Sequence, residues 1–145
     1  MYKRQEYAAR AGTTTAYSFG DDPAQLPAHA WFVGNSRNKL HPVGLRKRNP
    51  WQLFDMHGLV WEWTWQPFDK SVTQSTVDPG EPGPFVGGRV LRGGSFDSVS
   101  RNLRSAIRIR NEPSFSNRSI GFRCVRAARP PVSYTHLTLP TSDLV

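Results

Sequence analysis

Residues Arg89 to Cys124 set the tightest limits on this fold, because they place two short strand-like runs at either end of a long stretch that is neither helix nor strand. Arg89-Val90-Leu91-Arg92 sets two apolar side chains between two polar ones and stops at Gly93-Gly94. In the second run Ile120, Phe122 and Cys124 share one face, with Gly121 and Arg123 on the other, the two-residue period of a strand. The glycine pair ends the first run, since Gly tolerates backbone angles and close approaches that a side chain forbids. The two runs are expected to be neighbouring strands with Ile120, Phe122 and Cys124 facing inward. Between them Asp97 to Ser119 is 23 residues rich in Arg, Asn and Ser. A loop of that length inside a compact domain is functional or disordered, and this one is read as the displayed surface.

Neither terminus reads as the end of a natural domain. Tyr2-Lys3-Arg4-Gln5 can be coded TAT AAG AGA CAG, whose reverse complement, read one base out of frame, gives Val-Ser-Tyr-Thr, the sequence of Val132 to Thr135. The same DNA in opposite orientations at two ends is what a transposase-type sequencing adapter leaves. Residues 1–5 and 132–145 are therefore read as adapter-derived and set aside. They are expected not to pack on residues 6–131, which are read as part of one domain.

Twelve Gly, twelve Pro and five Trp, without long amphipathic periodicity, indicate an α+β, loop-rich fold held by aromatic clusters and not by long helices. The formal charge of +8 is concentrated between Arg89 and Arg129, where ten Arg and no Lys stand against Asp97 and Glu112. Arginines spaced among strands, such as Arg92, Arg104, Arg108 and Arg123, are read as internal fork donors to carboxylates and carbonyls, which argues against nucleic acid as the partner. No apolar run reaches the ~20 residues that span a bilayer. The single cysteine, Cys124, is expected to be a buried small hydrophobe.

Glu6 to Ala11 reads as the end of a helix stopped by Gly12, and Thr13 to Phe19 as a short strand. Arg46-Lys47-Arg48 reads as a solvated face, and Asp69 to Phe85, with three Pro and two Gly, as a turn-rich connection. Val60 to Trp65 alternates strictly, which puts Trp61, Trp63 and Trp65 on one face, expected to be aromatic core, and Glu62 on the other. Glu62 then stands beside the turn at Asp55 to Gly58. Two arrangements fit: both carboxylates and the turn's carbonyls converge on a hard cation such as Ca²⁺, or Asp55 caps the turn while Glu62 pairs with an arginine of the C-terminal segment.

EYAARAG at Glu6 to Gly12, HPVG at His41 to Gly44, NPWQLFDMHGLVWEWTW at Asn49 to Trp65, RVLRGGSF at Arg89 to Phe96, LRSAIR at Leu103 to Arg108 and IGFRCVR at Ile120 to Arg126 together resemble the formylglycine-generating enzyme, or sulfatase-modifying factor, family. The resemblance runs in order over essentially all of residues 6–126. It implies a C-type-lectin-like fold of the sulfatase-modifying subtype, with the N-terminal part of the domain missing. It also implies a calcium ion bound through the side chains of Asp55 and Glu62 and the carbonyls of Gly58 and Val60. Leu59 departs from the Asn usual in the family.

The oxygen-dependent members of that family convert a substrate cysteine to formylglycine with a pair of cysteines that bind Cu(I), an ion suited to soft thiolates. The corresponding segment here, Asp97 to Ser105, has none, and Ser98 stands near the first expected position. Copper is therefore not expected and no catalytic residue is assigned; formylglycine generation is the alternative reading. The segment also resembles the variable loop of the proteins diversified by retroelements, and Asp97, Ser98, Val99, Ile107, Ile109, Phe115 and Ser119 are all reachable from AAC codons by adenine changes alone. The expected activity is binding of a protein or small-molecule ligand through Asp97, Ser98, Arg101, Asn102, Asn111, Phe115 and Asn117.

Overall fold

The computed structural model describes residues 2–68 and 87–125; the connection expected at Asp69 to Phe85 and the tail from residue 132 lie outside them. Helix α1 (Tyr2–Arg10) is braced by an i,i+4 pair, Arg10 Nε to Glu6 Oε1 at 2.9 Å, of the kind that favours a helix by a few tenths of a kcal/mol. It stops where Ala11 and Gly12 take φ of 49° and 91°. Thr13 then donates to the Arg10 carbonyl with both its N–H and its hydroxyl. Gln5 donates to Glu62 Oε2 at 3.2 Å, so the expectation that residues 1–5 stand clear of the rest fails at Gln5. One further helical turn carries that side chain over the sheet.

Thr13 to Phe19 is not a strand. The Thr15 hydroxyl bonds to the Tyr17 carbonyl at 2.6 Å, Asp21 Oδ1 accepts the Ala16 N–H, and Tyr17 closes a tight bridge onto Gly20. Here local side-chain bonds win over the ladder that β-branched residues would otherwise favour. After a 3₁₀ turn at Pro23–Gln25 capped by Asp22, the short α2 (Leu26–His29) delivers Leu26 into a cluster of Tyr17, Leu26, Ala30 and Leu103. Much of the core thus lies among loops. Trp31 is sandwiched between His41, stacked at 3.6 Å, and the Arg46 guanidinium at 3.5 Å, so Arg46 lies on an indole and only Lys47 and Arg48 remain a solvated face.

The sheet has four strands: β1 (Trp61–Pro67), β2 (Arg89–Arg92), β3 (Ile109–Asn111) and β4 (Ile120–Gly121), in the order β3-β2-β1-β4. The β1–β2 and β2–β3 pairs are antiparallel and β1–β4 is parallel. The run at Arg89 and the run at Ile120 are therefore not neighbours, contrary to expectation. β1, the longest strand, lies between them and uses both of its edges. A parallel neighbour needs a long crossover, and residues 93–119 provide it, adding β3 to the far edge of β2 on the way.

Alternation locates the faces but not which face is buried. Glu62 is opposite Arg92 on β2 and Gly121 on β4, and α1 covers this polar face through Gln5 and through Glu6, whose carboxylate meets Arg92 at 3.0 Å. Arg92 is the internal donor expected of it; Arg123 forks onto Glu62 from a partly exposed position, and Arg104 donates to the carbonyl of Arg101 at the surface. On the other face Trp61 is buried, Trp63 half-buried and Trp65 exposed. Phe122 is 77% exposed and Cys124 is exposed too, so both inward assignments are overturned: β4 ends at Gly121 and Arg123 is the residue that turns toward the sheet.

Gly58, with φ of 78°, packs so closely under the Trp31 carbonyl that a Cβ would collide with it. Gly58→Ala therefore adds backbone strain to a clash with main chain, and is expected to cost about 3 kcal/mol or more in urea unfolding. Cys124→Ser, at the surface, is expected to stay within about 0.5 kcal/mol in the same measurement.

Candidate functional site

Asn49 folds the approach to the site. Its Oδ1 accepts the N–H groups of Trp51 and Leu53, both at 3.0 Å, and its Nδ2 donates to the Ala8 carbonyl at the end of α1. The chain then enters a turn in which Asp55, Gly58 and Leu59 all have left-handed φ, at 56°, 78° and 66°. For Asp55 and Leu59 such angles are costly and persist only where the surroundings fix them. At Leu59 the fixing bonds, its own and its neighbours', are backbone ones: Gly58 N–H to Gly93 O, Leu59 N–H to Trp31 O, Phe96 N–H to Leu59 O and Trp61 N–H to Ser119 O, at 2.7–2.9 Å.

Asp55, Val60 and Glu62 line one cleft of about 450 Å³, which Val43, Phe54, Phe122 and Arg123 also border. Three of the four residues expected to hold a cation are thereby brought together. Gly58 is not among the lining residues. Both carboxylates are buried, Asp55 at 8% and Glu62 at 5% exposure. Asp55 Oδ2 accepts the Gly44 N–H at 2.7 Å and has no ion-pair partner among the described residues. Glu62 is held by Arg123, with Nη2 to Oε1 at 2.8 Å and Nε to Oε1 and Oε2 at 3.1 and 3.3 Å. Arg123 Nη2 also donates to the carbonyl of Phe54 at 3.0 Å and approaches that of Asp55 at 3.5 Å.

Glu62 thus pairs with an arginine of the C-terminal segment, while the Asp55 carboxylate binds Gly44 and not the amides of its own turn. The donor set nevertheless suits a hard cation, being carboxylate and carbonyl oxygen throughout, and the guanidinium already draws on its Glu62 oxygens. Among the described residues no group of three or more His, Cys, Asp or Glu gathers, so an ion here would combine the two carboxylates with carbonyls and water.

The segment expected to be one displayed loop is divided by the fold. Leu103, on a 3₁₀ turn at Ser100–Leu103, is fully buried. Ser98 is buried as well, its hydroxyl 2.7 Å from that of Ser95 and its carbonyl accepting the Val33 N–H, so it is not at the surface. Asp97, Arg101, Phe115 and Asn117 are exposed, and Asn102 and Asn111 half-buried. Asn111 ends β3 at one edge of the sheet while Asn117 precedes β4 at the other. Asp97 and Asn117 also work locally: Asp97 Oδ1 accepts the Ser95 hydroxyl, and Asn117 Oδ1 the N–H and hydroxyl of Ser119.

His57 was not singled out by the sequence, where it is one isolated histidine among apolar neighbours. Its Nδ1–H donates to the Leu103 carbonyl at 2.7 Å, which leaves Nε2 to accept from the Ser18 N–H and hydroxyl at 3.2 and 3.0 Å. It thus ties the turn to the 3₁₀ segment and to the loop core. Burial pushes its pKa down to about 4, against the upward pull of the Leu103 carbonyl and with a further lowering from His29.

A loop-rich α+β scaffold with a mixed sheet, a buried glycine-dependent turn and a long crossover defines a domain of the C-type-lectin-like kind. The chain belongs to the sulfatase-modifying factor family: the family described as "Sulfatase-modifying factor enzyme 1-like domain" matches residues 3–128. It is 31% identical over 151 residues to the formylglycine-generating enzyme of Mycobacterium tuberculosis, a match covering 83% of this chain and 48% of that protein. It is 41% identical over 125 residues to the serine/threonine-protein kinase pkn1 of Chlamydia pneumoniae, covering 83% of this chain and 19% of that protein. Among solved structures, Treponema denticola variable protein 1 superposes with a TM-score of 0.68 at 33% identity, covering 81% of this chain and 43% of that one. The chain thus spans less than half the length of these relatives.

His57 makes stability depend on pH. Its folded pKa lies below the unfolded value of about 6.5, so its contribution is complete above that value and is lost as pH falls toward 4. The loss is expected to reach about 3 kcal/mol between pH 7 and pH 4. Denaturant unfolding across that range should show a steep acid limb that flattens in His57→Asn.

Proposed function

We propose that this chain is a calcium-supported binding module of the sulfatase-modifying family that works without the copper chemistry of the oxidases. The observation that carries the reading is Ser98. It stands near the first position where the oxidases place a copper-binding cysteine, and it is buried and committed to Ser95. A hydroxyl does not replace a thiolate for Cu(I), and the stretch from Asp97 to Ser105 offers no sulfur. The likeness to a variable protein and to part of a protein named as a kinase supports a domain used outside oxidation.

In this reading Asp55 and Glu62 hold Ca²⁺ with the carbonyls of Gly58 and Val60, and the ion neutralises two buried carboxylates while fixing the left-handed turn. The ligand, a protein or a small molecule, is met by the exposed residues of the crossover, with Arg101 and Phe115 as contacts and Asp97 and Asn117 shaping the loops around them. Rigid scaffolds with polar loops change their surfaces without disturbing the core.

Thermal unfolding in calcium and in chelator tests the metal. At free calcium about a hundred times Kd, stabilisation of about 2.7 kcal/mol is expected, and Asp55→Ala should abolish the difference. Incubation with a sulfatase-type cysteine peptide, Cu(I), reductant and oxygen tests the chemistry. No aldehyde is expected by mass; turnover at roughly 1 per second or faster would overturn the binder in favour of formylglycine generation.

A further inference from the structure

Glu62 has little acceptor capacity to spare. A carboxylate offers about four lone-pair sites, and three N–H donors already draw on those of Glu62: Arg123 Nη2 on Oε1, Arg123 Nε shared between Oε1 and Oε2, and Gln5 Nε2 on Oε2. Arg123 also takes the carbonyl of Phe54 at 3.0 Å and reaches toward that of Asp55. A guanidinium and a divalent ion sharing these oxygens would repel each other strongly at such short range. Asp55, buried on the same cleft, is left without a cationic partner among the described residues.

We propose that Arg123 is the built-in competitor of the cation at this site: its guanidinium and Ca²⁺ bind in alternation, so Arg123 sets calcium affinity and calcium releases residues 122–125. This rests on the calcium reading above and adds to it a residue outside the expected ligand set. β4 ends at Gly121, and among the described residues the hydrogen bonds that hold 122–125 come from the Arg123 side chain. Its neighbours Phe122 and Val125 are 77% and 61% exposed, so little apolar burial opposes release. The exchange is driven by charge, because two buried carboxylates against one guanidinium leave a net negative site and a divalent ion does not. The cost is conformational: when the site is open in only a fraction of molecules, the apparent Kd rises by the inverse of that fraction.

Isothermal calcium titration of the whole chain, of Arg123→Ala and of Glu62→Gln tests this, together with hydrogen exchange of residues 120–125 in the unaltered chain with and without calcium. Arg123→Ala is expected to bind calcium about tenfold tighter, as for a site open in one molecule in ten, Glu62→Gln to lose binding, and exchange at 122–125 to rise when calcium is added. Equal or weaker binding by Arg123→Ala, with Glu62→Gln still defective, would overturn the competition and leave the calcium site standing. Absence of binding in both the unaltered chain and Arg123→Ala would overturn the two together. Should Arg123→Ala not fold, the exchange measurement still decides: slower exchange at 122–125 on adding calcium contradicts the proposal.

Discussion

The backbone of residues 55–61 is the constraint on which the remaining structure depends. It contains no regular element before β1 begins at Trp61, yet Trp31, Gly93 with Phe96, and Ser119, from three separate parts of the chain, bond to it. A typical backbone bond contributes about 1 kcal/mol net, while leaving a buried partner unsatisfied costs about 1–3 kcal/mol. Four such bonds easily offset the left-handed conformation at Leu59, which costs about 1–2 kcal/mol. The same bonds explain why Gly58 has no room for a side chain. His57 extends the hub through its ring to Leu103 and Ser18, joining the crossover to the loop core.

Around this hub the polar face of β1 is organised by charge. Glu62 and Arg92 are enclosed by α1 and the sheet, with the partly exposed Glu6 and Arg123 as their partners. Buried pairs of this kind give little net stability against an apolar replacement, but removing one partner leaves a costly unpaired charge. Their contribution is to position: Arg92 fixes α1 on the sheet and Arg123 fixes the chain after β4. A cation at Asp55 and Glu62 would act on the same layer, and would meet Arg123 there.

Family and fold class were legible because ordered motifs such as NPWQLFDMHGLVWEW and RVLRGGSF reflect close backbone approaches that few sequences satisfy. The alternation of Val60 to Trp65 gave β1 correctly. What it left open is which face is covered, since the tryptophans grade from buried to exposed while Glu62 and Gly121 share the face that α1 encloses. Strand order was not legible either, because the pairing of β1 with β4 depends on a crossover whose path local pattern does not describe. Leu103 and Ser98 looked like parts of a polar loop, and only their burial and their bonds to His57 and Ser95 distinguish them from Arg101 and Phe115. At the cation site, sequence allowed both a metal pair and an arginine pair, and the geometry of Arg123 shows the second while leaving Asp55 available to the first.

Native-state hydrogen exchange on the whole chain tests most directly whether the turn is the hub. The amides of Gly58, Leu59, Trp61 and Phe96 should open together, with the free energy of global unfolding, since their bonds tie the turn to three separate segments and none can be released alone. Exchange of these four amides by local openings well below the global value, while the amides of β2 stay protected, would contradict the account.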